Sequence, residues 1–163
     1  MNRAAITCTG ENPLNRKHWL AIAGTVLFTL APLAGQAHHS FAMYDQEQVL
    51  TFTGRLTRYI PGANHAQLIF DLLDDSGAPI LDEQGKPVAW GVETGPATRI
   101  ARLGVTPDNF PEGTIITVKL NPLRNGKTFG AMPNGAALVN CGMTMPEGGC
   151  NEETGTVYLS ENG

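Results

Sequence analysis

Polar and apolar residues alternate from Val49 to Ile60 (VLTFTGRLTRYI). A period of two, rich in β-branched and aromatic residues, predicts a strand with one buried face. Gly54 interrupts the run and predicts a bulge or sharp bend there. Pro61-Gly62 is a turn signal. A second strand is predicted over Ala66 to Leu73 (AQLIFDLL). Two polar stretches follow, Asp74 to Pro79 and Asp82 to Pro87, and read as one long loop. Val88 to Glu93 predicts a third strand. Pro96 to Leu103 predicts a short helix, because proline suits a first turn and Gly104 a C-terminal stop. Arg99 and Arg102 fall three apart on it and share a side. Thr114 to Leu120 (TIITVKL) predicts a fourth strand. Pro122 to Gly130 reads as turn, with Asn125-Gly126 a hairpin candidate. Gly135 to Asn140 predicts a weaker fifth strand, and Thr156 to Leu159 a short sixth strand or a tail.

The order β-β-β-α-β-β defines the expectation: an all-β fold with one short helix, built as a small OB-like Greek-key barrel. A β-sandwich is the alternative, since both architectures use short strands joined by polar turns.

The residues before this pattern have a different character. Arg3, Arg16 and Lys17 precede a 15-residue apolar run, Leu20 to Ala34, and Gly35-Gln36-Ala37 supplies small residues for cleavage. The order is that of a secretory signal peptide over residues 1–37, cut after Ala37. The run is shorter than the ~20 residues that span a bilayer, and Pro32 interrupts it, so no stable membrane span is expected after cleavage. The expected product is a periplasmic or secreted domain over residues 38–163, ending in a cysteine-bearing segment from about residue 140.

Composition supports this reading. Glycine and proline total 30 of 163 residues, about 18%, against an average near 12%. This suits a turn-rich β protein. The formal charge is −4. Removing residues 1–37 takes away three of the 11 basic and one of the 15 acidic residues, leaving −6. Such a balance argues against a nucleic-acid partner. Cys141 and Cys150 are then the two cysteines of the mature chain. In an oxidising compartment an even pair reads as a disulfide. The alternative is a soft Cu(I) site that would add the sulfurs of Met143 and Met145.

Five short segments carry a resemblance. His38-His39-Ser40-Phe41-Ala42-Met43-Tyr44-Asp45 resembles the mature opening, "HHSF", of a family of small secreted bacterial proteins of unknown function. Ala63-Asn64-His65-Ala66 stands where that family carries an Asn-Pro-His-Ala context. Trp90-Gly91-Val92-Glu93 resembles its Trp-x-x-Glu element, Arg102-Leu103-Gly104 its helix end, and Pro122-Leu123-Arg124-Asn125-Gly126 its turn. The resemblance covers roughly residues 38–139 and implies a secreted all-β domain, with no activity attached.

The histidines are the candidate chemistry. An N-terminal His38 offers an α-amine and an imidazole from one residue, and these can chelate one Cu(II). A second imidazole completes a T-shaped three-nitrogen site. Nitrogen donors suit copper, which heads the divalent affinity series, with zinc the less favoured metal. The α-amine titrates near 8, so a metal can displace its proton. His65 is the expected distant ligand, His39 a supporting one, and Met43 a weak axial sulfur. Trp90 and Glu93 are candidates to line a ligand cleft. Asp74, Asp75, Asp82 and Glu83 form an acidic loop run without EF-hand spacing. No nucleophile pattern or phosphate-binding loop is present. The expected function is therefore non-catalytic metal binding, most of all copper. The alternatives are an adaptor for a periplasmic protein partner or small ligand, and a copper-dependent oxidative enzyme.

Overall fold

The computed structural model describes residues 41–159. The expected signal peptide, His38 and His39 lie outside the described residues. A 3-10 turn at Phe41–Met43 leads into β1 (Leu50–Ile60), β2 (His65–Leu72) and β3 (Ala89–Pro96). Helix α1 (Ala97–Arg102) follows. Then come β4 (Ile115–Pro122), β5 (Phe129–Ala131), β6 (Leu138–Asn140) and β7 (Thr156–Leu159). Among the described residues no helix is long and apolar enough to cross a membrane.

One sheet contains all seven strands, and five of them close a ring in the order β1-β2-β3-β5-β4. β4 returns to pair with β1, Leu50 opposite Leu120 through Arg55 opposite Ile115. β3 and β5 are parallel, and the other pairings are antiparallel. With the helix between β3 and β4, this is an OB-like Greek-key barrel. A sandwich is set aside because the sheet closes on itself.

Period two explains the interior. β2 alternates half-buried and buried along its whole length. Ala66, Leu68, Phe70 and Leu72 point inward and meet Leu56, Val92, Val118 and Leu120. Ile100, Val105 and Phe110 belong to the same core, so the helix and the turn after it close one end of the barrel. The Tyr59 hydroxyl donates to the Val105 carbonyl, 3.0 Å away.

Three expectations are corrected. The ring-closing fifth strand is Phe129–Ala131, which begins within the end of the stretch read as turn and runs one residue past it. The stretch read as the fifth strand is β6, which pairs with β4 beyond the ring and carries β7 on its far side. A three-residue strand with glycine at its centre shows no alternation, so the pattern passes over it. The β1 bulge lies between Leu56 and Arg58, not at Gly54. Gly54 serves a close approach instead: a Cβ there would meet Phe70 Cδ2 at 2.4 Å and the Asp71 carbonyl oxygen at 2.8 Å.

The long loop is more ordered than its composition suggests. Asp74 Oδ1 accepts from the Ser76 and Ala78 amides at 2.9 and 3.0 Å. Asp82 Oδ1 accepts from the Gln84 and Lys86 amides, both at 2.9 Å. Gly77 and Gly85 take φ of 83° and 76° in the same place of each turn. Asp74 and Asp82 of the acidic run thus serve turn chemistry, repeated after eight residues. The Ser76 hydroxyl, with the backbone amides, holds the Asp74 carboxyl below its ordinary range.

Cys141 and Cys150 form a disulfide, nine residues apart with Cα atoms 5.8 Å apart. Cys150 packs with Leu73, Ile115 and Val139 in a second, smaller core, against which Cys141, Met145 and Val157 also lie. The Thr117 hydroxyl donates to the Cys150 carbonyl at 2.7 Å and fastens this segment to the barrel. The disulfide takes both cysteine sulfurs, and Met143 is exposed.

Candidate functional site

His65 is the first residue of β2, directly after the loop that joins it to β1. Ala66 is fully buried, so the alternation turns His65 away from the core, and its side chain keeps 33% exposure. A register shift between His65 and Gln67 sets the ring against β3, with His65 opposite Pro96. The Asn64 carbonyl holds the loop by accepting from the Ala97 amide at 2.9 Å.

The His65 ring is fixed by what lies next to it. Nδ1 sits 2.8 Å from the Thr94 carbonyl oxygen. A carbonyl only accepts, so Nδ1 carries the proton and a neutral ring keeps its lone pair on Nε2. Thr94 is itself buried, and its hydroxyl donates to the Ala66 carbonyl at 3.0 Å. The carbonyl that holds the imidazole is therefore part of the β2–β3 seam.

Glu93 precedes Thr94 on β3 and faces the other way. Its Oε1 lies 3.6 Å from His65 Nδ1. Its Oε2 accepts from the Tyr44 hydroxyl at 3.4 Å. Tyr44 is only 3% exposed, although it stands in the short segment before β1. That segment is held by the turn between β4 and β5. The Asp45 amide donates to the Pro122 carbonyl at 2.8 Å, and the Arg124 amide to the Met43 carbonyl at 3.0 Å. Arg124 Nε donates to the Tyr44 carbonyl at 3.2 Å, and its guanidinium pairs with Asp45 at 3.6 Å.

Four of the five short sequence segments therefore meet at one place: Tyr44-Asp45, His65, Glu93 and Arg124. Their position has a physical precedent. OB barrels take ligands on the outer face of strands two and three and in the loops between strands one and two and between four and five. His65 ends the first of those loops, Arg124 stands in the second, and Glu93 lies on β3.

Burial, and then the neighbouring Glu93 carboxylate, push the Tyr44 phenol up from 10.0 to about 12. An unfolded Tyr44 ionises near pH 10 while the folded one stays neutral. This contribution to stability is intact below pH 10 and is lost as pH rises through 12. Burial of Tyr59 adds an effect of the same sign. Tyr44→Phe is expected to make the fall in urea midpoint between about pH 9 and 11.5 visibly shallower without abolishing it. Identical slopes in the two proteins would remove Tyr44 from the account.

The remaining candidates are dispersed. Trp90 is turned inward and packs against Phe52, with ring centroids 4.6 Å apart and planes tilted by 48°. Gly91 makes no bulge, so strand alternation places Trp90 and Glu93 on opposite faces and the structure does not bring them together. Met43 lies in the 3-10 turn, 52% exposed. Among the described residues no three His, Cys, Asp or Glu side chains are grouped to hold a metal. An open cleft of about 640 Å³ lies between the Asp75-Ser76 turn and the disulfide loop at Met145–Gly149 and includes none of the His65 cluster. Tyr44, Thr94 and Arg124 were not anticipated as site residues. The signal was present for two of them, since Tyr44 and Arg124 stand inside the short segments that carry the resemblance.

A family model described as "Family of unknown function (DUF6152)" matches residues 27–132. Tyr44, His65, Glu93 and Arg124 all fall inside this span, and the disulfide loop falls outside it. Neither the curated proteins nor the solved structures contain a match to the chain.

Proposed function

The chain belongs to this DUF6152 family of unknown function, and we propose that it is an exported, non-catalytic metal-binding protein whose metal is copper. His65 provides one imidazole through Nε2. His38, freed by cleavage after Ala37, provides its α-amine and imidazole, with His39 in support. The single observation that carries this reading is the 2.8 Å contact between His65 Nδ1 and the Thr94 carbonyl. It leaves Nε2 as the donor on a partly exposed ring, the arrangement that metal-bound histidines use. One point of chemistry agrees with it. The disulfide withdraws the two thiolates of the mature chain, which leaves nitrogen donors that suit Cu(II) before zinc. A carrier or scavenger needs this much and no substrate pocket.

The test is the mass of the exported protein under native ionisation, with one equivalent of Cu(II). The expected species begins at His38 and holds one copper. His65→Ala should weaken binding by more than the roughly 10–100-fold that outer partners of a ligand contribute. One extra residue before His38 should do the same, because it moves the amine away from the imidazole. A chain that begins elsewhere, or equal copper retention in His65→Ala, would reject the site. An export-competent chain that holds no copper but recovers one defined protein or small molecule would favour the adaptor reading, for which the outer face of β2 and β3 is the expected surface.

A further inference from the structure

We infer that Tyr44 and Glu93 act as positioning residues that set His65 and the segment just after the amino-terminal histidines as one unit. For its effect on metal this rests on the reading of His65 as a ligand; its structural half does not. The argument begins with Glu93, whose two carboxylate oxygens are divided between two parts of the chain. Oε1 faces His65 Nδ1 at 3.6 Å, and Oε2 takes the Tyr44 hydroxyl at 3.4 Å. The imidazole N–H donates to the Thr94 carbonyl, and the carboxylate stands beside the same nitrogen at 3.6 Å as an electrostatic neighbour rather than an acceptor. A carboxylate behind a metal-binding histidine orients the ring and raises the basicity of its other nitrogen. Glu93 stands on the Nδ1 side, so it serves this role rather than ligation beside Nε2.

Tyr44 fixes the carboxylate from the other side. It is buried, and its backbone is held on both sides by Arg124 and the Pro122 carbonyl. Its hydroxyl therefore reaches Glu93 from a segment that has little freedom of its own. Loss of either the hydroxyl or the carboxylate charge releases the same linkage. A side chain that merely filled space would not couple in this way to a residue 49 positions away.

The experiment is a double-mutant cycle on the full mature protein, with Tyr44→Phe, Glu93→Gln and the pair. Two quantities are read: Cu(II) affinity, and amide exchange protection over residues 43–45 and 124 in the metal-free protein. Each single variant is expected to keep one copper per chain, bound about 10–100-fold more weakly. Each is expected to speed exchange over that segment, and the pair to do no more than either alone. Additive effects, or protection that stays at the wild-type level, would overturn the inference. So would wild-type affinity in Glu93→Gln when His65→Ala has lost the metal. A wild-type protein that binds no copper would refute the proposed function. The exchange cycle would then decide the linkage by itself.

Discussion

Phe70→Ala is expected to cost about 3–5 kcal/mol of stability, the usual penalty for emptying a large aromatic site in a core. Phe70 is fully buried on β2 and is among the largest side chains in the barrel. It lies opposite both Leu56 of β1 and Trp90 of β3. Its ring also rests on the backbone at Gly54, where a Cβ would come within 2.4 Å of it. Glycine has no side chain with which to fill the resulting space, and the paired backbones on either side resist collapse. A domain of this size has roughly 5–15 kcal/mol in total, so the variant should be close to its folding limit. Urea unfolding followed through Trp90 fluorescence, half-buried beside Phe52, will read the change. A loss below about 1 kcal/mol would mean that the barrel is not built around this ring.

Removing the disulfide comes second in size. Cys141→Ser with Cys150→Ser is expected to cost about 3 kcal/mol, since a loop of this length recovers that much unfolded-chain entropy. Cys150 is also nearly buried among Leu73, Ile115 and Val139, where a hydroxyl is poorly accommodated. The melting temperature should fall by on the order of 10 °C. Copper affinity at the proposed site should stay within about twofold, because no residue of the His65 cluster belongs to the smaller core. The pair of measurements separates what stabilises the domain from what forms the site. A large loss of copper with the disulfide gone would mean that the two cores are coupled.

Much of the candidate site is legible in the sequence, but in pieces. His65 could be chosen from chemistry, as the histidine that follows the first long strand. Trp90 and Glu93 could share a cleft only if Gly91 bulged, and the regular β2–β3 register there leaves them on opposite faces. Tyr44 and Arg124 were visible as members of short motifs, without a role. They gained one only when Arg124 in the β4–β5 turn met the backbone of Tyr44, 80 residues away. Local pattern carries no information about which turn lies against which strand end.

The sequence by itself determined the four long strands and the helix between the third and fourth, and it offered the cysteine pair that the structure joins across the C-terminal loop. The strands and the helix are specified locally, by a period of two or by a proline and a glycine at helix ends. Only the tertiary structure decided that Phe129–Ala131 closes the ring and that β6 and β7 extend beyond it. It also decided that the bulge falls at Thr57 and that Tyr44, Glu93 and Arg124 gather around His65. The physical reason is that closure, register and the approach of remote loops depend on how the whole sheet buries its inner face. A strand of three residues or a side chain at a loop end follows that solution rather than directing it.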